Sequence, residues 1–494
     1  MDKISSDEPI RVLILSSEVA PYAQFGCLGD DVGCLYKALR KLGVEVRVVL
    51  PFYRMVRESE CPVTPVLKKM EVPVGDRILE TDVWETSEDD GSKVYFFDRE
   101  DLFDRPNLYG NTRHGDYYDN LHRYVFFCRA GILLAKRLGF RPNVVHLHDW
   151  ETGAVSVYLK SLYKNDPFFS KTVTVFTFHN VGYQGNFPAE ELAHTGIPIS
   201  YYNPGGVEFW GQISLLKAGI VFSDAISTVS PTYAREVLDP TYGMGMEGVV
   251  AKRAYELRGI LNGRDDEAWN PAADPFIEAP YSPLDLSGKD ACRRALFREF
   301  GLNPELEDGL LLGWSSRFID QKGAGLLLKS LGPLMGKKTA LIIQGEGEEA
   351  YESELRAWMG TYPDRIGLAM GMEERVTRRI LSGVDILVSP SRYEPSGMTQ
   401  MRGMKYGAIP LVRKTGAFVD IVEPYDPAAE SGTGFMFDRF EVSEFIAKVD
   451  EAYFAMADGK RRDVLRRNTM SKEFSWQRCA EEYLDLYTAA INKR

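Results

Sequence analysis

Arg317 and Lys322 stand five residues apart in SRFIDQKG, directly after the apolar run LLLGW and beside Gly323. The chain carries 71 acidic against 59 basic residues, a formal net charge of −12. Against that background the two cations suit a diphosphate whose charge grows as its bond to a leaving sugar breaks. A solvated surface pair fits the same spacing. Farther on, Glu394 lies in a turn beside Pro395, and Ser396, Gly397, Met398 and Thr399 open a helix. The free N–H groups of a helix start receive phosphate; equally, Ser396 or Thr399 would serve as a simple cap.

The N-terminal half offers three further places. Asp149 follows VVHLH, where a carboxylate at a strand end reaches a sugar hydroxyl or a developing positive charge. His146 and His148, two apart on one strand face, lack a third ligand, so no metal site is read there. His179 closes the run TVTVFTFHN and could donate to a hydroxyl or carbonyl, or be a satisfied structural histidine. In the loop QFGCLGD, Gly26 and Gly29 permit close backbone approach and the following helix favours an anion; a plain turn with Asp30 as N-cap is the alternative. The loop is not GxGxxG, so a nicotinamide cofactor is poorly supported.

Such residues need strands to end at one edge. Arg11 to Ser17, Val44 to Leu50, Val144 to His148, Val173 to Phe178 and Ala225 to Val229 read as buried parallel strands. A helix from Asp30, with Val32, Leu35, Leu39 and Leu42 in register and Gly43 as its stop, joins the first two. After Asn262 a stretch rich in Pro, Asp and Asn reads as an interdomain connection. Leu310 to Trp314, Ala340 to Gln344, Ile366 to Met370, Ile386 to Ser389 and Ile409 to Val412 form a second strand series, separated by helices such as Gly325 to Leu334 and Glu349 to Met359. The expected architecture is α/β: two Rossmann-like domains facing across a cleft, 1–264 and 265–470. A C-terminal helical segment, 471–494, reads as a helix pair for which packing back on the first domain is expected.

The remaining composition excludes rather than selects. With 494 residues, at roughly 100 to 200 per domain, one core is excluded. The acidic balance argues against nucleic acid and anionic membrane as partners. No run of about 18 apolar residues suggests a membrane span, and MDKISSDEPI has no apolar leader core, so a cytoplasmic address is expected. Six scattered cysteines, Cys27, Cys34, Cys61, Cys128, Cys292 and Cys479, show no CxxC spacing, which leaves them as small core residues, Cys27 excepted.

With these residues in place the chain resembles bacterial glycogen synthase and plant starch synthase, retaining glycosyltransferases of the GT-B fold. The resemblance runs through SSEVAPYAQFGCLGDDVG, VVHLHDWETG, FHNVGYQGNFP, LLKAGIVFSDAISTVSPTYAREV, GILNGRDDEAWNPAADP, SRFIDQKG and PSRYEPSGMTQMRGMKYGAIPLVRKTGAFVD. It implies glucose transfer from a nucleotide-glucose donor, ADP-glucose before UDP-glucose, to the non-reducing end of an α-1,4-glucan, with retention, no metal and no cofactor. Arg317 and Lys322 would neutralise the donor diphosphate, and Glu394 would hold the glucose and its oxocarbenium-like ring. Asp149 and His179 would orient sugar and acceptor, Asp30 would bind near them, and Asn262 would sit beside the donor sugar.

The chain departs from that family in several places. Where the family usually reads Lys-Thr-Gly-Gly-Leu-Gly-Asp, this chain has Gln24, Phe25, Gly26, Cys27, Leu28, Gly29 and Asp30, which removes a phosphate-facing cation and sets a side chain at Cys27 where backbone should approach closely. Met372 replaces a tyrosine that stacks on the donor base, Glu151 replaces histidine in Asp-Trp-His, and Ala417 replaces the second glycine of Thr-Gly-Gly. The expected protein is an active glucan synthase with altered donor recognition. The alternative is a catalytically weakened glucan-binding or regulatory paralogue.

Overall fold

The computed structural model describes residues 9–88, 91–111 and 115–494, so residues 1–8 of the first expected domain lie outside the described residues. The chain divides into two compact units, Met1–Gly263 with Trp476–Arg494, and Arg264–Ser475.

The first unit is built on a nine-stranded sheet. Its strands are β1 (Arg11–Leu15), β2 (Glu45–Pro51), β3 (Thr64–Val74), β4 (Arg77–Ser87), β5 (Lys93–Asp98), β6 (Val144–His148), β7 (Val173–Phe178), β8 (Ala225–Thr228) and β9 (Leu257–Gly259). They lie in the order β9-β8-β7-β6-β1-β2-β5-β4-β3. From β9 to β5 every pairing is parallel, and β4 and β3 extend the sheet antiparallel. β1, β2, β6, β7 and β8 are the apolar runs expected from sequence, since a strand covered on both faces must be apolar throughout; β5 and the short edge strand β9 were not picked out. The antiparallel extension escaped that reading because β3 alternates exposed and buried positions toward its end and carries charge on its open face.

Helix α1 (Cys27–Lys41) buries Leu28, Val32, Leu35, Tyr36 and Leu39, a helical stripe, and the chain leaves it through Gly43 at φ +83°. It starts at Cys27, not at Asp30 as the periodicity suggested. Helix α2 (Asn120–Arg137) is buried almost all round, and the short helix α3 (Leu192–Thr195) packs against it. The C-terminal segment is one helix, Trp476–Asn492, rather than a pair. Its Cys479, Tyr483, Leu486, Tyr487 and Ala490 are buried on one face, against α1 and β7. The chain leaves this unit at Gly263 and re-enters at Trp476; a Cβ on Gly263 would lie 2.6 Å from the Trp476 nitrogen, so only glycine fits the crossing.

The second unit is a six-stranded, wholly parallel sheet: β10 (Leu310–Ser315), β11 (Thr339–Gly345), β12 (Ile366–Met370), β13 (Ile386–Ser389), β14 (Ile409–Arg413) and β15 (Phe435–Phe437), in the order β12-β11-β10-β13-β14-β15. Helix α4 (Ala324–Met335) follows β10 and helix α5 (Met398–Lys405) follows β13. Leu312, Trp314, Leu327, Leu331, Ile343 and Val388 belong to the core on one face.

The stretch after Asn262 is not a bare connection. Trp269 and Tyr281 are buried in the core on the sheet's other face, the Tyr281 hydroxyl donates to the Tyr406 carbonyl at 2.8 Å, and the Arg378 guanidinium stacks 4.0 Å from the Trp269 ring. The segment looked aperiodic because carboxylate and amide turns shape it: Asp265 accepts from the Ala268 N–H, Asn270 from Ala272 and Asp274 from Phe276. Among the described residues no helix is long and apolar enough to cross a membrane.

Candidate active site

In the first unit the loop after β1 is organised by Glu18, a residue the sequence reading passed over. Its Oε2 accepts from the backbone N–H groups of Phe25 at 2.7 Å and Gly26 at 2.9 Å, and its Oε1 accepts from the Tyr109 hydroxyl at 2.7 Å. Burial pushes the Glu18 carboxyl above its usual value, against the pull of those donors. Gln24 donates from Nε2 to Asp30 Oδ2 at 2.7 Å. A Cβ on Gly29 would stand 3.1 Å from the Ala23 carbonyl, and one on Gly33 2.5 Å from the Ala20 carbonyl, so these are where the helix hugs the loop. A Cβ on Gly26 would meet nothing within 4 Å, and Cys27 is exposed at the first position of α1. Asp30 lies within the first turn; the N-cap is Gly26.

Three strand ends and α1 then converge. Asp149 follows β6 with φ +57° and ψ −178°, a conformation costly for any residue but glycine, about 1–3 kcal/mol. Its Oδ1 accepts from the His179 N–H at 2.6 Å, which ties the end of β6 to the end of β7. The buried Asp31 joins two expected residues: its Oδ2 accepts from Asn262 Nδ2 at 2.6 Å and lies 3.2 Å from His179 Nδ1. The other His179 nitrogen, Nε2, is 3.1 Å from His148 Nδ1.

Burial pulls the His179 imidazole down, but Asp149, Asp31 and Glu18 outweigh it and leave it above the ordinary histidine value. Burial drives His148 far below that value and His146 down to about 3. Both ring nitrogens of His179 thus lie within hydrogen-bond reach of protein atoms, Asp31 and His148, and its backbone N–H holds Asp149. Behind it, His146 Nδ1 lies 2.8 Å from the Tyr487 hydroxyl on the C-terminal helix and its Nε2 2.7 Å from Thr177 Oγ1.

Glu151, two residues beyond Asp149, is buried, and its Oε2 has no hydrogen-bond partner among the described residues. Burial, with the charges of Asp149 and Glu18, lifts its carboxyl well above the carboxylate range. Burial likewise raises Asp149, opposed by His179 and the N–H groups of residues 179 and 180.

In the second unit Lys322 donates to both oxygens of Glu394, at 2.9 and 2.7 Å. Glu394 is buried; it also accepts from Ser391 Oγ at 3.2 Å and, weakly, from the Gly397 N–H at 3.4 Å. Two glycines make this possible. A Cβ at Gly323, φ +79°, would stand 2.0 Å from the Pro390 carbonyl, and one at Gly416, φ +48°, 1.9 Å from the Glu394 carbonyl. Ala417, the residue that departs from the family, is buried at the first position of its helix and donates its N–H to that same Glu394 carbonyl, so the glycine needed is Gly416.

Arg317 is half-buried in the loop after β10, and Met372 is exposed in the loop after β12. Helix α5 has Gly397 at its N-cap, so neither Ser396 nor Thr399 occupies the capping position. The Met398 side chain is buried, which leaves its N–H as the group it can offer a ligand. Of the cysteines, Cys128, Cys292 and Cys479 are buried, whereas Cys34 and Cys61 are half-buried rather than in the core.

Glu18 and Asp31 lie inside the segment SSEVAPYAQFGCLGDDVG but were not singled out within it, and Tyr109 lies outside every segment named. Asp31 is hidden beside Asp30 in a helical pattern, and only its register, one residue after Asp30 and facing inward, would have separated the two.

Residues 11–252 match the model of the starch synthase catalytic domain, and residues 300–471 match that of glycosyl transferases group 1. The chain is 38% identical over 483 residues to a glycogen synthase of Syntrophotalea carbinolica, covering 98% of this chain and 99% of that one. It is 38% identical over 492 residues to a glycogen synthase of Thermotoga maritima, with the same coverages. Its fold superposes with a TM-score of 0.91, at 29% identity, on the catalytic domain of starch synthase IV from Arabidopsis thaliana bound to ADP and acarbose, covering 98% of this chain and all of that one. With the two-domain α/β architecture, the matched residues and these near full-length identities, the chain belongs to the glycogen and starch synthase family, GT-B glycosyltransferases that transfer glucose to glucan.

Proposed function

We propose that the protein transfers glucose from ADP-glucose, in preference to UDP-glucose, to the non-reducing 4-hydroxyl of an α-1,4-glucan with retention of configuration. The observation that carries this reading is the Lys322–Glu394 pair: an ammonium and a carboxylate held together where the loop after β10 meets the start of α5. The ADP in the Arabidopsis starch synthase IV structure supports the adenine donor.

In this reading the second unit, 265–470, takes the nucleotide sugar and the first, 1–264 with the C-terminal helix, the acceptor side. Arg317, Lys322 and the N–H groups at Gly397, Met398 and Thr399 receive the diphosphate. The bond from the glucose anomeric carbon to diphosphate oxygen breaks, its electron pair leaving with the diphosphate. The acceptor 4-hydroxyl attacks from that same face and its proton passes to the diphosphate. Glu394 carries the charge that balances the cationic ring, and Ser396 lies in its turn. Asp149, with Asp30, Asn262 and the loop of Gln24, Gly26, Cys27 and Gly29, binds neutral sugar hydroxyls, while Met372 borders the base. The six cysteines, none in a disulfide among the described residues, suit a reducing, cytoplasmic address.

Purified protein incubated with labelled ADP-glucose or UDP-glucose and a maltooligosaccharide primer elongates the primer, faster with the adenine donor; no elongation with either rejects the reading. One observation favours a second reading, a weakened glucan-binding paralogue: Gln24, in place of a cation, makes a neutral hydrogen bond to Asp30. Calorimetry separates them, because a tight nucleotide-sugar site removes the second.

A further inference from the structure

On the first unit, away from the strand-end residues above, His122, Glu191 and His194 bring three metal-ligating groups together. His122 is in the first turn of α2; Glu191 and His194 lie in the turn that ends in α3. His194 Nδ1 is 2.8 Å from Glu191 Oε2, His122 Nε2 is 3.6 Å from that same oxygen, and all three donor atoms lie within 4.8 Å of one another. The imidazole centroids are 5.2 Å apart.

A hydrogen bond accounts for the first contact and not for the second, which is too long for one. Tetrahedral zinc with nitrogen and oxygen ligands at about 2.0–2.1 Å sets neighbouring donor atoms about 3.3 Å apart, between the two observed separations. Closing the remaining gap takes side-chain rotation alone, and the three side chains, between 34% and 43% exposed, have room for it. Two imidazoles with one carboxylate select a borderline ion such as Zn²⁺, Co²⁺ or Ni²⁺ over Mg²⁺ or Ca²⁺, which favour all-oxygen sites.

We infer that His122 Nε2, His194 Nδ1 and Glu191 form a divalent transition-metal site, with water in the fourth position, that clips α2 to the segment 189–195. Binding needs a lone pair on His194 Nδ1 and on His122 Nε2, so any proton on those atoms is released or moves to the other ring nitrogen as the metal binds. The clip bears on the start of α2, where Asn120 Nδ2 donates to the Tyr109 carbonyl at 2.8 Å and Tyr109 in turn holds Glu18.

The test uses the full chain, freed of metal with chelator and titrated with Co²⁺ and with Zn²⁺, next to His122→Ala, His194→Ala and the double variant. We expect one equivalent of Co²⁺ to give ligand-field absorption that Zn²⁺ displaces, each single variant to bind at least about tenfold more weakly, and the double variant to lose the equivalent. Subtracting the double variant removes any ion bound by the free cysteines. Glu191→Gln, which keeps the side chain's shape, provides a second probe should a histidine variant fold poorly, and weakens binding likewise. Wild type without Co²⁺ absorption, or variants that bind as wild type does, overturns the site. Glucan elongation is not the readout, so failure here leaves the proposed transferase function standing.

Discussion

Around Asp149 the first unit gathers Glu18, Asp30, Asp31, Asp149 and Glu151 with a single raised histidine among them, whereas the second unit sets one carboxylate, Glu394, against a lysine and a helix start. In the first, backbone and side-chain donors tie Glu18, Asp31 and Asp149 to protein atoms, Glu151 Oε2 has no hydrogen-bond partner among the described residues, and burial has raised Glu18, Asp149 and Glu151. The second is sparse, and Lys322 is held by a single carboxylate that a diphosphate can compete with. In the proposed reading the negative cluster takes sugar hydroxyls and tolerates a cationic ring, and the cation at a helix start takes an anion, so that charge would separate an acceptor side from a donor side within one acidic chain.

The comparison breaks most visibly at Lys322. Lys322→Ala lowers kcat by about 10²-fold or more if its charge meets the leaving group, measured by initial rates of primer elongation; a loss under threefold counts against that role. Asp31→Asn comes next. It removes the charge that His179 and Asn262 share and leaves only a neutral acceptor oxygen, and kcat falls about tenfold, the size of one lost buried charge-assisted contact. His179 also becomes less basic, so the alkaline limb of the pH–rate profile moves toward acid.

Glu151→Gln sharpens the contrast through stability. The folded protein holds the Glu151 proton above the pH where the unfolded chain, near 4.5, releases it. Wild type therefore loses stability as pH rises from there toward the raised folded value, by up to about 1.4 kcal/mol per pH unit. The glutamine variant is spared that loss, so its advantage over wild type in urea denaturation is larger at pH 8 than at pH 5. The smallest effect is expected from Gln24→Lys, which exchanges a neutral donor for a charged one. Donor affinity or kcat rises a few-fold, roughly 1 kcal/mol, and no change in either makes the substitution incidental.

Most parallel strands were legible, because a strand covered on both faces must be written in apolar residues, as Val144–His148 and Ile386–Ser389 are; Lys93–Asp98, Leu257–Gly259 and Phe435–Phe437 were not picked out. The ribbon of β3 and β4 was not, since one of its faces meets water. At the sites, residues that announce themselves by position, such as Asp149, Lys322 and Glu394, were readable. The residues that hold them were not. Asp31 and Glu18 act across 231 and 91 positions of chain, on Asn262 and from Tyr109, and no local pattern records such distances. Gly416 is the intermediate case: the motif was visible, yet only the 1.9 Å approach to the Glu394 carbonyl shows which of its residues must be glycine.

The C-terminal helix supplies the Tyr487 hydroxyl to His146, and with it the rear wall of the first unit. These residues follow the whole second unit along the chain. Although the N-terminal sheet emerges first and can begin to collapse during synthesis, it stays unfinished until this helix has been made. A chain stalled before Trp476 would thus carry a complete second unit and an open first one, its apolar face still waiting for the helix that covers it.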